Sequence, residues 1–326
     1  MDIQLLIKAI IYIFLAVVGI PGNVYIFLKF TYVRITEKKL LTANFLLMLL
    51  VFANFFVVIS RVIPHALHSL GVENLLDDKG CIIIFYTYRV SRAMSICATS
   101  LLSFHQCILI APVTKFWMYL KEKVTKDALV VTIIVLLVIN CSLYSSSIIY
   151  SYAHNNSTSS PYTLHLVYCN TDFKTRISYV VYGVFYTLRD YLCVGLMVLT
   201  SGYIIYVLLN HKKNVKLIRS SQKNQAKSIE YKASRGVILL VALYVTFFGL
   251  DNSIWVYTLT IVNPDISLND VRIVSTCSFS ALSPAVIIIT NPKLQMRMNF
   301  SFPWKCFLRE KSENKGHVTS VSSYIK

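Results

Sequence analysis

ALVVTIIVLLVINCSL, residues 128–143, holds sixteen consecutive residues without a charge. In a bilayer every backbone N–H and C=O in such a run must be satisfied within the segment, so an isolated run of this kind is a helix rather than a strand. A hydrocarbon core about 30 Å thick needs about 20 mostly apolar residues in helix, and the run reaches that length when followed to residue 150. Moving outward in both directions finds six more stretches of the same kind, at 5–28, 40–63, 81–109, 179–209, 236–260 and 271–290. The chain therefore reads as an all-α membrane protein, a seven-transmembrane helix bundle.

The composition agrees. Of 326 residues 56% are hydrophobic and only 14% charged, with a mean hydropathy of +0.60, whereas ordinary soluble domains carry about 25% charged residues. A water-soluble enzyme is excluded on these grounds. No Gly-rich phosphate loop, His-Glu-x-x-His or nucleophile elbow occurs, so no enzyme, cofactor or metal site is expected.

The basic balance, 32 Lys and Arg against 15 Asp and Glu for a net charge of +17, fits either a nucleic-acid partner or a membrane protein whose cytoplasmic segments hold the excess. Position decides. With seven spans, the segments 29–39, 112–127, 210–235 and 291–326 fall on one side, and they carry 23 of the basic residues and six of the acids. The whole +17 lies on that side and the remainder of the chain nets zero. By the positive-inside rule that side is cytoplasmic, which places the N-terminus outside and the C-terminus inside and removes the case for nucleic acid. The first run is too long for a signal peptide and lacks a small-residue cleavage site, so it is expected to be a retained anchor. No internal repeat of transporter type is apparent; a transporter or channel remains the competing class.

Of the eight cysteines, five fall inside spans, where a thiol is a small apolar group. Cys81 opens span three and Cys169 lies in the loop before span five, both on the oxidising side. A bridge would tie that loop to the top of helix three; two free thiols are the alternative. The same loop reads HNNSTSS (154–160), with glycosylation sequons at Asn155 and Asn156. The sequons at Asn140 and Asn299 fall in a span and on the cytoplasmic side.

Seven spans with a cysteine at the top of helix three and a partner in the next outer loop resemble the G-protein-coupled receptors. GIPGNV (19–24), with Asn23 as a polar anchor, resembles their helix-one signature. FANFFVVISRVIP (52–64), GCIIIFYTYRVSRAMSI (80–96) and FYTLRDYLCVGLMVLTSGYIIYVLLNHKKNV (185–215) are similar to vomeronasal type 1 receptors and the fish class A-related olfactory receptors. The resemblance covers nearly the whole chain. Where most rhodopsin-like receptors carry Asp-Arg-Tyr this chain has His105, Gln106 and Cys107; Asn54 stands for the usual Asp of helix two and Ser283-Pro284 for Asn-Pro in helix seven. Helix six lacks Cys-Trp-x-Pro, and 271–290 holds no Lys for a retinal Schiff base. Bitter taste receptors are the nearest confusable family, through NPKLQ (291–295); the Cys81 and Cys169 pair and the helix-five segment argue against them.

The resemblance implies a chemosensory receptor for a pheromone or odorant, coupled through the inhibitory Gα class, in the plasma membrane of vomeronasal or olfactory neurons. Ionisable residues inside spans are functional candidates. Arg89 and Arg92 share one face of helix three, and Arg89 lies about 12 Å below Cys81. With Tyr86, Asp190, Asp251 and Tyr257 they are expected to line an outer cavity for an anionic or polar small molecule; interhelical ion pairs, including Arg189 with Asp190, are the alternative. Asp251 is the least typical of the family and so the candidate for selectivity of this receptor's own. His65 and His68 read as solvated rather than as metal ligands. On the inner side His105, Gln106, Lys212, Lys213 and Arg235 are the candidate G-protein contacts, and the basic loop also suits anionic lipid. Residues 1–290 form the receptor domain, 291–303 an amphipathic surface helix starting at Pro292, and 304–326 a polar cytoplasmic tail expected to be disordered.

Overall fold

The structure is a computed structural model that describes residues 3–38, 41–72, 75–112, 114–153, 163–165, 169–217, 224–260, 266–291 and 294. The chain divides into two units, Met1–Asn291 and Pro292–Lys326. The first is the helix bundle. The expected surface helix and tail, and the sequons at Asn155 and Asn156, lie outside the described residues.

Among the described residues seven helical stretches are long and apolar enough to cross a membrane. Span one is α1 (Ile3–Glu37). Span two is α2 (Thr42–Val57) continued through the wide π turn Val58–Val62 into α3 (Ile63–Ser69). Span three is α4 (Asp78–Ile110), and α5 (Lys115–Lys123) follows it. Span four is α6 (Lys126–Leu143) with α7 (Ser146–Tyr150), and α8 (Arg176–Leu217), α9 (Asn224–Thr260) and α10 (Ile266–Thr290) complete the bundle. Each helix overruns its apolar run, because intrahelical hydrogen bonds continue past the lipid boundary as long as a cap allows. Asp77 accepts the Gly80 N–H at 2.8 Å at the start of α4, and Thr125 accepts the Ala128 N–H at 3.2 Å at the start of α6.

Burial ranks the spans: 78% of the apolar window of α4 is buried, against 22% for α1 and for span four. The run that identifies the fold is therefore a peripheral helix, uniformly apolar because it faces lipid, while the central α4 carries the polar side chains. The glycines of GIPGNV account for close packing of α1 on α10. A Cβ on Gly22 would lie 2.8 Å from Cβ of Pro284, and one on Gly19 would lie 3.0 Å from Cα of Ala281. Asn23, fully buried, uses that proximity to donate from Nδ2 to the Ser280 carbonyl at 3.0 Å as well as to Gly19 at 2.8 Å. Asn54 joins three spans. Its Oδ1 accepts from Ser95 at 2.6 Å and Ser280 at 3.1 Å, and its Nδ2 donates to Ser283 at 2.8 Å.

Two features have no counterpart in the apolar pattern. The π turn precedes Pro64, which lacks the N–H that would close a regular turn, and it holds Arg61 in the interior, 7% exposed. The segment before span five forms a three-stranded antiparallel sheet, β1 (Ser151–Ala153), β2 (Thr163–His165) and β3 (Cys169–Asp172), in the order β1-β3-β2. It is fixed to the start of α4 twice. Cys81 and Cys169 are joined in a disulfide, and Oδ1 of Asp78 accepts the Ala153 N–H at 2.7 Å. The bridge marks one end of the bundle, the disulfide end.

Candidate functional site

The charged side chains inside the bundle gather in its disulfide half. At their centre Asp251 of α9 is shared by two guanidiniums. Arg92 Nη2 of α4 donates to Oδ2 at 3.2 Å, and Arg272 Nε of α10 donates to Oδ1 at 3.1 Å. The carboxylate is 9% exposed, and the two arginine side chains are 28% and 25% exposed. A small, partly open cavity adjoins the group, with Arg92, Asp251, Tyr244, Phe248 and Phe279 among its lining residues. Besides the two charged groups its lining combines aromatic rings, Tyr244, Phe247, Phe248 and Phe279, with the hydroxyls of Ser95, Ser275, Thr276 and Ser280, apolar wall and polar groups together as in small-molecule sites.

A second charged group lies between spans three, four and five. Arg189 pairs with the adjacent Asp190 through both Nε, at 3.0 Å, and Nη2, donates from Nη1 to Asn140 Oδ1 at 2.6 Å, and stacks over Tyr144 at 5.2 Å. Arg89, one turn from Arg92, takes a different environment: its guanidinium lies 5.5 to 6.0 Å from the ring centres of Phe85, Tyr144 and Tyr186, a cation–π arrangement. Tyr86 donates its hydroxyl to the Cys141 carbonyl at 3.2 Å. On the other flank of α4, Arg61 lies 4.8 Å from the Tyr88 ring centre.

The opposite half holds no ion pair among the described residues. There α4 meets α8 and α9 through hydroxyls, an amide and apolar contacts. Ser103 bonds Thr200 at 2.6 Å and Ser201 at 3.0 Å. Ser234 of α9 donates to Gln106 Oε1 at 3.5 Å. Cys107, Ile204 and Leu208 form a buried apolar group against which Trp117 packs, its ring 5.3 Å from that of Tyr203. His105 and Gln106 are buried, and Arg235 is exposed. Lys212 and Lys213 lie in the last turns of α8, their side chains outside the described residues.

The family model for the vomeronasal organ pheromone receptor family matches residues 6–300. The chain belongs to that family. Olfactory receptor class A-like protein 1 of Danio rerio is 35% identical to it over 91% of this chain and 93% of its own length. Human vomeronasal type-1 receptors 3 and 4 are 27% and 28% identical, over 85% and 89% of this chain and 88% and 95% of theirs. The chain is accordingly a multi-pass plasma-membrane protein of a G-protein-coupled receptor family, and the match favours the vomeronasal family over the bitter-receptor alternative.

Within this vomeronasal-family receptor the geometry joins some of the expected ligand set and separates the rest. Arg92 and Asp251 meet. Asp190 is held by Arg189, and Tyr86 faces span four. Tyr257, 54% exposed, lies on the surface of α9. Arg272 was not among the expected residues, although it is ionisable and is the second residue of the seventh apolar run. His65 corrects the solvated reading: it is 2% exposed and stacks on Tyr12 at 5.2 Å, because span two continues to Ser69 and carries residue 65 into the bundle. Among the described residues no cluster of three or more His, Cys, Asp or Glu could hold a metal.

Proposed function

We propose that this receptor binds a small anionic or polar pheromone or odorant in the disulfide half of its bundle and activates a heterotrimeric G protein, of the inhibitory Gα class, at the opposite end. The N-terminus and the disulfide end face outward and the basic segments face the cytoplasm, following the Lys and Arg distribution. The receptor works in chemosensory neurons, its loop glycosylated at Asn155 and Asn156, its inner basic segments in contact with anionic lipid.

One observation carries the ligand class. Among the described residues of the disulfide half, Arg92, Arg189 and Arg272 share two carboxylates, Asp190 and Asp251, while Asp270 pairs with Lys8 at 2.6 Å and Arg89 is surrounded by aromatic rings. Excess charge at membrane depth is costly, and an incoming anion reduces it. The aromatic walls around Arg89 and beside Asp251 supply apolar area for the rest of the molecule. Arg92 and Asp251, with Arg89 one turn away, form the charged centre of the ligand site, and Arg272 joins it as the second holder of Asp251; Asp190, Tyr86 and Tyr257, of the expected set, stand outside it. Binding shifts the population toward a state opened at the far end, where Gln106, His105, Arg235 and the lysines at 212 and 213 meet the G protein. A neutral Gln106 replaces charge-assisted contacts with weaker neutral ones.

The test is a screen of acids, amines, steroids and neutral odorants on cells expressing the receptor with a promiscuous Gα, read by calcium. Acids that act only when Gα is present support the proposal. A response independent of Gα, or ligand-dependent flux through liposomes holding the purified protein alone, favours the transporter or channel class.

A further inference from the structure

Asp251 is a single carboxylate divided between two cations on different helices, one oxygen to each. The three groups together carry one positive charge. A second anion bound at this group would compensate that charge. Which arginine the newcomer takes follows from access and packing. Arg92 lines the cavity and Arg272 does not. In addition, α9 packs far more extensively on α10 than on α4, so α9 and α10 are joined along their length while α4 and α9 meet at few places. One of those places is the 3.5 Å contact between Gln106 and Ser234, about 21 Å from Arg92 along α4.

We infer that the Arg92–Asp251 pair is the restraint that holds α9 against α4 in the resting receptor, and that an anionic ligand acts by taking Arg92 while Arg272 keeps Asp251. The inference rests on the proposed anion-binding role of this half. After the exchange Asp251 still has Arg272 as its partner, so no bare charge is left at depth. The tie between α4 and α9 is gone, and α9 and α10 are free to move together away from α4. The remaining neutral contact at the far end is weak, and that end opens. Asp251 thereby acts as an internal anion that a ligand must outcompete, which makes it a determinant of ligand affinity as well as of basal activity.

The restraint is tested without a ligand. Spin labels at Leu109→Cys and Leu239→Cys, both exposed positions on α4 and α9, report the far-end separation in purified receptor, and nucleotide exchange on a Gα of the inhibitory class reports output at matched surface expression. Asp251→Asn and Arg92→Gln should widen the label distance by several ångströms and raise basal exchange several-fold. Arg272→Gln should lower basal exchange, because Asp251 then belongs to Arg92 alone. An unchanged label distance in Asp251→Asn overturns the inference, as does an equal rise in all three variants, which would mean loosened packing and no directed restraint. Widened distances without exchange on any Gα leave the restraint standing and count against G-protein activation. If the pattern holds while no acid acts in the screen, the anionic-ligand reading fails and the restraint does not.

Discussion

The two halves of the bundle are built from different chemistry. Among the described residues, the disulfide half joins its helices with three ion pairs, a charged hydrogen bond from Arg189 to Asn140, an aromatic basket around Arg89 and a covalent bridge. In the opposite half the helices are joined by Ser103 with Thr200 and Ser201, by Gln106 with Ser234, and by apolar packing. Asn54 stands between them as a neutral hub whose amide meets three hydroxyls. A buried charge that loses its partner costs several times what a neutral hydrogen bond does. The strong and specific restraints therefore lie at the disulfide end, the proposed ligand entrance, and the weak ones at the opposite end. In the proposed mechanism a local rearrangement of charge at the first releases the second.

Substitutions should reproduce that ranking. Asp190→Asn strands Arg189, 14% exposed at its side chain, and should destabilise the detergent-solubilised receptor by about 3–5 kcal/mol; thermal unfolding followed by thiol-reactive dye measures it, and a negligible shift would break the comparison. Cys81→Ser removes the bridge between α4 and β3 and should cost about 2–5 kcal/mol, seen as loss of cell-surface labelling. Asn54→Ala leaves Ser95, Ser280 and Ser283 without their shared partner and should cost about 1–3 kcal/mol, read in the same unfolding assay. Gln106→Ala, the smallest, should cost no more than about 1 kcal/mol. A Gln106 effect equal to that of Asp190 would show that the far end is as tightly held as the disulfide end.

Much of this difference was legible in the sequence. The seven spans follow from the bilayer's demand for about 20 apolar residues, and the disulfide from two cysteines set apart from the rest. Arg92 and Asp251 were both visible as ionisable residues in apolar runs. Their pairing was not, because residues 159 positions apart meet only through the packing of α4 on α9. Placing Arg89 and Arg92 on one face was right as helical geometry, yet the two reach different neighbours: a guanidinium at the end of a long side chain goes where rings or carboxylates await it, and those come from other helices. The small sheet escaped because strands of three or four residues show no period, and α5 because nine residues, KFWMYLKEK (115–123), are too few to show one. The π turn escaped because Pro64 announces a disturbance without saying how the chain absorbs it.

The most direct test of the account is the concentration–response curve of an acid identified in the Gα-dependent screen, taken for wild type and for Arg92→Gln at matched surface expression. Arg92→Gln should raise the effective concentration of the acid by about tenfold or more, the loss expected when a charged hydrogen-bond partner is removed, while the receptor still reaches the surface. An unchanged effective concentration with a receptor that reaches the surface normally, or a variant that fails only in trafficking, would contradict it.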